Sequence, residues 1–165
     1  MIFQYLDKKE FTALSQQLFD ILADNMSVIA PTGNSRQEDY RCWFSAVSDG
    51  LIRKERQIIL IKNGEEIIGF FQYYTNTDAA AVTMEEIQLK AEYQGKNIFR
   101  KLYGFLIPNI RDEIKFVEAY ANIANHKSIG ILEKLGLSRI RMNKNGHSFH
   151  FRGNYSDLIK WYKSK

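Results

Sequence analysis

The sequence predicts a mixed α+β domain built around one twisted sheet, and three observations carry that prediction. β-rich runs and helix-periodic runs alternate along the chain with neither confined to one half. Two of the β-rich runs flank Asn63-Gly64, a dipeptide suited to a tight hairpin. A strand, a helix and a second strand follow between Met84 and Ala121, an arrangement that calls for a right-handed crossover joining parallel strands. The chain has 165 residues, enough for one domain with a sizeable core, so a single domain over 1–165 is expected.

In order, residues 2–6 (IFQYL) read as a first strand. EFTALSQQLFDILADN follows, with Phe11, Leu14, Leu18, Ile21 and Leu22 at helical spacing. Pro31 and Gly33 break that pattern. A second helix is expected from Arg36 to Val47, with Ser35 as N-cap and Glu38 completing a capping box. The hairpin RQIILIKNGEEIIGFFQYYTN comes next, then the strand AVTMEEIQL and a helix that Pro108 ends. KFVEAYA reads as a strand, and NHKSIGILEKLG as a short helix opened by Asn125 and stopped by Gly136. LSRIRMN and HSFHFRG form a final hairpin, and SDLIKWYKSK closes the chain as a helix. No repeat or low-complexity block interrupts the series.

Composition narrows the class of partner. Hydrophobic residues make up 45% and charged residues 25%, the balance of a globular chain rather than a disordered one. The longest apolar runs, QIILI and IIGFF, fall far short of a membrane span, so no membrane partner is expected. No basic-then-apolar leader stands at the N-terminus, and a single cysteine, Cys42, rules out an internal disulfide framework. A cytoplasmic location fits both. The net charge of +4 suits a phosphate-bearing small ligand. It could also suit nucleic acid, but no aromatic-basic RNA motif accompanies it, so no nucleic-acid partner is expected.

The joint between the strand ending at Leu89 and the helix after it is the chemically suggestive segment. Gln94, Gly95, Lys96 and Asn97 are polar, basic and conformationally permissive. A helix that starts there offers unpaired backbone N–H groups and the positive end of its dipole, with Lys96, Arg100 and Lys101 adding charge. Those are the requirements for holding a phosphate or pyrophosphate. Neither GxxxxGK[ST] nor GxGxxG occurs, which sets aside nucleotide hydrolysis and a Rossmann cofactor.

QLKAEYQGKNIFRKLYGFL resembles the central segment of the GNAT superfamily of acyl-CoA-dependent N-acyltransferases, and NHKSIGILEKLGLSRI is similar to its second signature. The spacing of the two segments and the order of elements agree over nearly the whole chain. The resemblance implies a GNAT-like single domain whose two central parallel strands splay apart, with helices on both faces. It implies acetyl-CoA as acyl donor, no metal, and an amine acceptor. Separately, the final hairpin and tail are where a homodimer could form. Gln94, Gly95, Lys96, Asn97, Ile98, Phe99 and Arg100 would wrap the diphosphate. The backbone of Ile87, Gln88 and Leu89 would pair with the pantetheine, and Asn125 and Ser128 would contact it or its loop.

The implied chemistry is attack of an amine on the thioester, which needs a proton acceptor and an oxyanion donor. Glu85 is the favoured base, with Glu118 in reserve, and the N–H of Leu89 or a neighbour is the oxyanion donor. Leu132 stands where many members carry a tyrosine that protonates the departing thiol, and Asn97, Phe99 and Leu137 also depart from the pattern. Thiolate expulsion without that acid forgoes roughly 2 kcal/mol at neutral pH, a cost that slows the step without forbidding it. Tyr120, Tyr103 or water is the stand-in acid. Tyr40, Trp43, Phe44 and Tyr73 are acceptor-pocket candidates. Cys42 is expected as buried filler, and His147 and His150, three apart on a strand, make a poor metal pair. The alternative is a catalytically weak acyl-CoA-binding regulatory module.

Overall fold

The computed structural model describes residues 1–53 and 56–164. After the strand β1 (Ile2–Tyr5), Asp7 accepts a hydrogen bond from the Glu10 N–H while the Glu10 carboxylate accepts from the Asp7 N–H, and this capping box starts α1 (Lys8–Met26). The helix thus begins two residues before the expected segment. Ser35 and Glu38 form a second capping box at the head of α2 (Arg36–Ile52). That helix runs past the expected end at Val47, because Val47 and Leu51, one turn apart, both pack on the core.

The hairpin comprises β2 (Arg56–Asn63) and β3 (Glu66–Asn76), with Asn63 opposite Glu66. Asn63 is therefore the last paired residue, and the two-residue loop is Gly64-Glu65, with φ +59° at Gly64. The strand β4 (Ala81–Leu89) matches the expected segment. One 3₁₀ turn (Ala91–Tyr93) leads to α3 (Ile98–Leu106), and a second, Ile107–Asn109, holds Pro108. Then come β5 (Phe116–Asn122), α4 (His126–Lys134), β6 (Ser138–Met142), β7 (Ser148–Asn154) and α5 (Tyr155–Lys163). The seven strands form one mixed sheet in the order β1-β2-β3-β4-β5-β7-β6. The predicted mixed α+β class is the one observed.

Two compact units are distinguished. One contains Met1–Tyr74 and Glu86–Lys96. Its core joins Phe11, Leu18 and Ile21 of α1 and Val47 of α2 to Ile58, Leu60 and Phe70 of the hairpin. The other contains Thr75–Glu85 and the chain from Asn97 onward. In it Ala81–Met84 pair in parallel with Phe116–Ala119, as the crossover argument requires, and β4 runs five residues beyond that ladder to Leu89. Tyr103 of α3 meets Trp161 of α5 edge-on at 5.6 Å, and Tyr103, Val117, Phe151 and Leu158 are fully buried or nearly so. Leu132 and Leu137 are buried as well.

Candidate active site

The joint before α3 has the backbone that its residues allow. Gly95 has φ +76° and Asn97 sits in the left-handed region at φ 57°, ψ 25°. In that conformation the Asn97 side chain makes no capping hydrogen bond, and no acidic residue lies in the first turn of α3. The leading amides of α3 are thus left without a side-chain acceptor. Gly95, Lys96 and Asn97 are exposed, whereas Ile98 is buried. Phe99 stacks along the helix on Tyr103 at 6.4 Å. Arg100 turns away from this mouth: its guanidinium donates to the Trp161, Tyr162 and Ser164 carbonyls and lies over the Trp161 ring, closing the C-terminus of α5.

The mouth of α4 is built differently. Asn125 Oδ1 accepts from the Ser128 N–H at 3.1 Å, so this helix carries its own cap. Asn125 thus takes the N-cap position expected of it, and its contact with Ser128 is first of all a cap.

In the unit that holds the end of β4, the strand is tied to its surroundings on both edges. Gln88 is buried, and Leu89 O accepts from Asn25 Nδ2 at 2.9 Å and from Gln94 Nε2 at 3.0 Å. Lys90 N–H donates to Ile68 O at 2.8 Å. Glu66 holds Lys90 and Tyr93, each at 2.7 Å, and so anchors the 3₁₀ turn before the joint. The Lys90 ammonium, and then the Tyr93 hydroxyl, hold the Glu66 carboxyl below its usual range, and Glu66 in turn raises Lys90. Asn25 and Glu66 were not foreseen. They sit dozens of residues from their partners in an ordinary helix and an ordinary hairpin, and no local pattern marks them.

The carboxylate candidates gather in the other unit. Thr83 is the register partner of Glu118, so by strand alternation Glu85, Glu118 and Tyr120 share a face. Glu118 lies 3.4 Å from His150 Nε2 and 3.4 Å from Arg152 Nη1, and Arg152 covers the Phe116 ring at 4.0 Å. Tyr120 is 47% exposed and stacks on the buried His150 ring at 4.6 Å. Tyr103, the other stand-in tyrosine, is fully buried with its hydroxyl donating to Met84 Sδ, and burial pushes its pKa up.

The aromatic candidates lie against the core of their unit. Trp43 packs on Phe11, Phe19 and Phe70, Phe44 stacks on Phe11, and the Tyr40 hydroxyl bonds Ser15. Tyr73 is buried with its hydroxyl 2.9 Å from that of Tyr5, whose own pKa burial raises. Cys42 is exposed, contrary to the buried position expected of it, because Trp43 and Val47 take the inward face of α2. Among the described residues no group of three or more His, Cys, Asp or Glu could hold a metal ion, and no helix is long and apolar enough to cross a membrane.

Solved structures share this fold at low sequence identity. An acetyltransferase from Thermus thermophilus matches with a TM-score of 0.72 and 13% identity, over 93% of this chain and 97% of its own. A PaiA N-acetyltransferase from Thermoplasma acidophilum, solved in complex with coenzyme A, matches with a TM-score of 0.70 and 16% identity, over 94% of this chain and 100% of its own. RimL, a ribosomal L7/L12 α-N-protein acetyltransferase solved in complex with coenzyme A, matches at 0.67 and 17% identity over 94% of each chain. A comparison with curated protein sequences gives no match. The fold is therefore that of acetyltransferases. The sequence model of the Acetyltransferase (GNAT) family matches residues 15–137, and the chain belongs to that family.

Proposed function

We propose that the protein transfers the acetyl group of acetyl-CoA to a primary amine of a small molecule or peptide by direct attack, with residues 1–165 acting as one cytoplasmic N-acetyltransferase domain. The observation that carries this reading is the head of α3, where a left-handed Asn97 leaves the leading amides without a side-chain cap. Phosphate oxygens are the natural acceptors for such amides. Support comes from family membership and from the coenzyme A held by two relatives of the same fold.

On this reading the segment Gln94–Phe99 takes the diphosphate through backbone N–H groups and the charge of Lys96. Arg100, committed to α5, supports the helix instead. The Leu89 carbonyl already has two donors, so the pantetheine pairs with the rest of the Ile87–Leu89 backbone. Asn125 spends its oxygen on the α4 cap and offers its NH₂ to the pantetheine. Glu85 takes the amine proton, directly or through one water, with Glu118 beside it on the same sheet face. The amine nitrogen then bonds the thioester carbon, and the negative charge gathers on oxygen near the Leu89 N–H. The carbon–sulfur bond breaks as the intermediate collapses, and the sulfur leaves as thiolate or takes a proton from Tyr120. The surplus proton on the new amide nitrogen passes to the departing thiolate, to the Tyr120 oxygen that gave its own, or to water.

The second reading, a weakly catalytic acyl-CoA-binding regulatory module, is favoured by Leu132, an apolar buried residue where many members place the acid. A thiol-release assay with acetyl-CoA over a panel of amines separates the two, run beside Glu85→Gln and Glu118→Gln. Turnover that falls about a hundred-fold or more in Glu85→Gln supports the transferase with Glu85 as base. A comparable fall in Glu118→Gln alone moves the base to Glu118. Coenzyme A binding without thiol release on any amine supports the regulatory module.

A further inference from the structure

We propose that Asn25 is a positioning residue for acyl transfer: from the last turn of α1 it fixes the Leu89–Lys90 peptide and the side chain of Gln94, and so holds the Leu89 N–H in the direction needed by an oxyanion. This role rests on the acetyl-transfer reading above and adds a residue that the family resemblance does not supply.

Two peptides flank the Cα of Leu89, and their directions set that of its N–H. Gly69 lies so close to β4 that a Cβ there would stand 2.1 Å from Gln88 O and 2.8 Å from Leu89 Cδ2. The Gln88 carbonyl is therefore turned toward β3. Its peptide is trans, like every other described one, so the N–H of Leu89 points toward the opposite edge of β4. The next peptide is pinned at both ends. Its N–H, that of Lys90, donates to Ile68 O, and its carbonyl, that of Leu89, accepts from both Asn25 and Gln94. With one peptide close against Gly69 and the next pinned at both ends, Leu89 is restricted in φ and ψ.

Asn25 is the member that joins these parts. Its Nδ2 donates to Leu89 O at 2.9 Å and to Gln88 Oε1 at 2.7 Å, and its Oδ1 accepts from Gln94 Nε2 at 3.4 Å. Gln88 in turn donates to Glu86. An asparagine that only filled space at a helix end would need one such bond to be satisfied; here both donors and the acceptor are spent, on the strand and on the first residue of the joint. Asp or Ala at this position removes both donors, leaving the Leu89 carbonyl to Gln94 alone and Gln88 Oε1 without the Asn25 bond. Backbone donors aimed at a developing charge lose effect steeply when their direction drifts.

The test uses the full chain, with Asn25→Ala and Asn25→Asp assayed for thiol release alongside coenzyme A affinity and melting temperature. Asp keeps the size of Asn but sets a carboxylate oxygen against the Leu89 carbonyl. The expected result is a fall in kcat of at least ten-fold in Asn25→Ala and a larger one in Asn25→Asp, with KM for acetyl-CoA changed less than three-fold and both variants folded. A folded pair with kcat within two-fold of wild type overturns the role and leaves the transferase reading standing. A wild-type protein that releases no thiol with any amine overturns that reading and this role with it.

Discussion

Two helices of the same unit, α3 and α4, each begin after a strand with an asparagine, and their mouths are opposite in character. At α4 the asparagine has φ −88° and turns its side chain onto the Ser128 N–H. At α3 it has φ 57° and its side chain makes no capping hydrogen bond. One residue type thus closes one helix and opens the other, and the difference lies in backbone conformation. Asn97, in the left-handed region, makes no cap and so gives up about 1 kcal/mol of capping; on the proposed reading the donors left over serve a ligand. Helix ends that lack a cap and bear no acidic residue read as binding positions; capped ones read as structural.

The comparison can be broken most directly at Asn97. Proline there fixes φ near −65° and forbids the left-handed turn. Loss of two charge-assisted hydrogen bonds at roughly 1.5 kcal/mol each corresponds to about a hundred-fold in Kd, so Asn97→Pro is expected to raise the coenzyme A Kd by that order in calorimetry. Asn97→Gly, which accepts positive φ freely, is expected to stay within two-fold of wild type. Equal losses in both variants would mean that the Asn97 side chain, not the backbone it permits, holds the ligand.

A smaller effect is expected at α4. Asn125→Ala removes the cap and should lower stability by about 1 kcal/mol, a fall in Tm of roughly 2–4 °C for a chain of this size. Asn125→Asp keeps the capping oxygen and drops the NH₂. If that NH₂ meets the pantetheine, Asp restores Tm while KM for acetyl-CoA stays raised by roughly three- to ten-fold, the weight of one neutral hydrogen bond. Recovery of both in Asn125→Asp would make α4 a purely structural end.

Arg100→Met asks whether the α3 mouth works through side-chain charge. The guanidinium serves the carbonyls of α5, so the substitution is expected to cost about 1–2 kcal/mol in denaturant unfolding while the coenzyme A Kd moves less than three-fold. The smallest effect concerns the support behind α3, where the Tyr155 hydroxyl donates to Ile107 O at 3.5 Å. Burial, and then the charge of Asp112, push Tyr155 up to about 12. An unfolded tyrosine ionises near pH 10. Between those values the unfolded chain has lost a proton that the folded chain keeps, so stability falls as pH rises through this window and is unaffected below it. Tyr155→Phe is expected to flatten the fall in Tm measured between pH 9 and 11.5.

Much of the fold was legible because it is written in local patterns. Asn63-Gly64 placed the hairpin, Ser35 and Glu38 placed the head of α2, and AVTMEEIQL was read to the residue. Misreadings came where distant packing decides. Val47 and Leu51 carry α2 onward because the core accepts both, and Cys42 faces out because Trp43 and Val47 face in. The site divides the same way. Gly95 and Asn97 announce a permissive joint in any sequence, whereas Asn25 and Glu66 act across 64 and 24 residues of chain and carry no local mark. Arg100 is a further case, since its partners are carbonyls at the C-terminus of α5, 61 and 62 residues on, and no local pattern announces them.

The most direct test of the open α3 mouth is an amide-resolved NMR titration with coenzyme A and, separately, with 3′,5′-ADP. The expected result is that both ligands move the backbone amides of Gly95 to Arg100 most, with downfield proton shifts at Phe99 and Arg100, and that Asn97→Pro abolishes the response. Saturating coenzyme A that leaves those amides in place, or moves the head of α4 instead, would contradict the account.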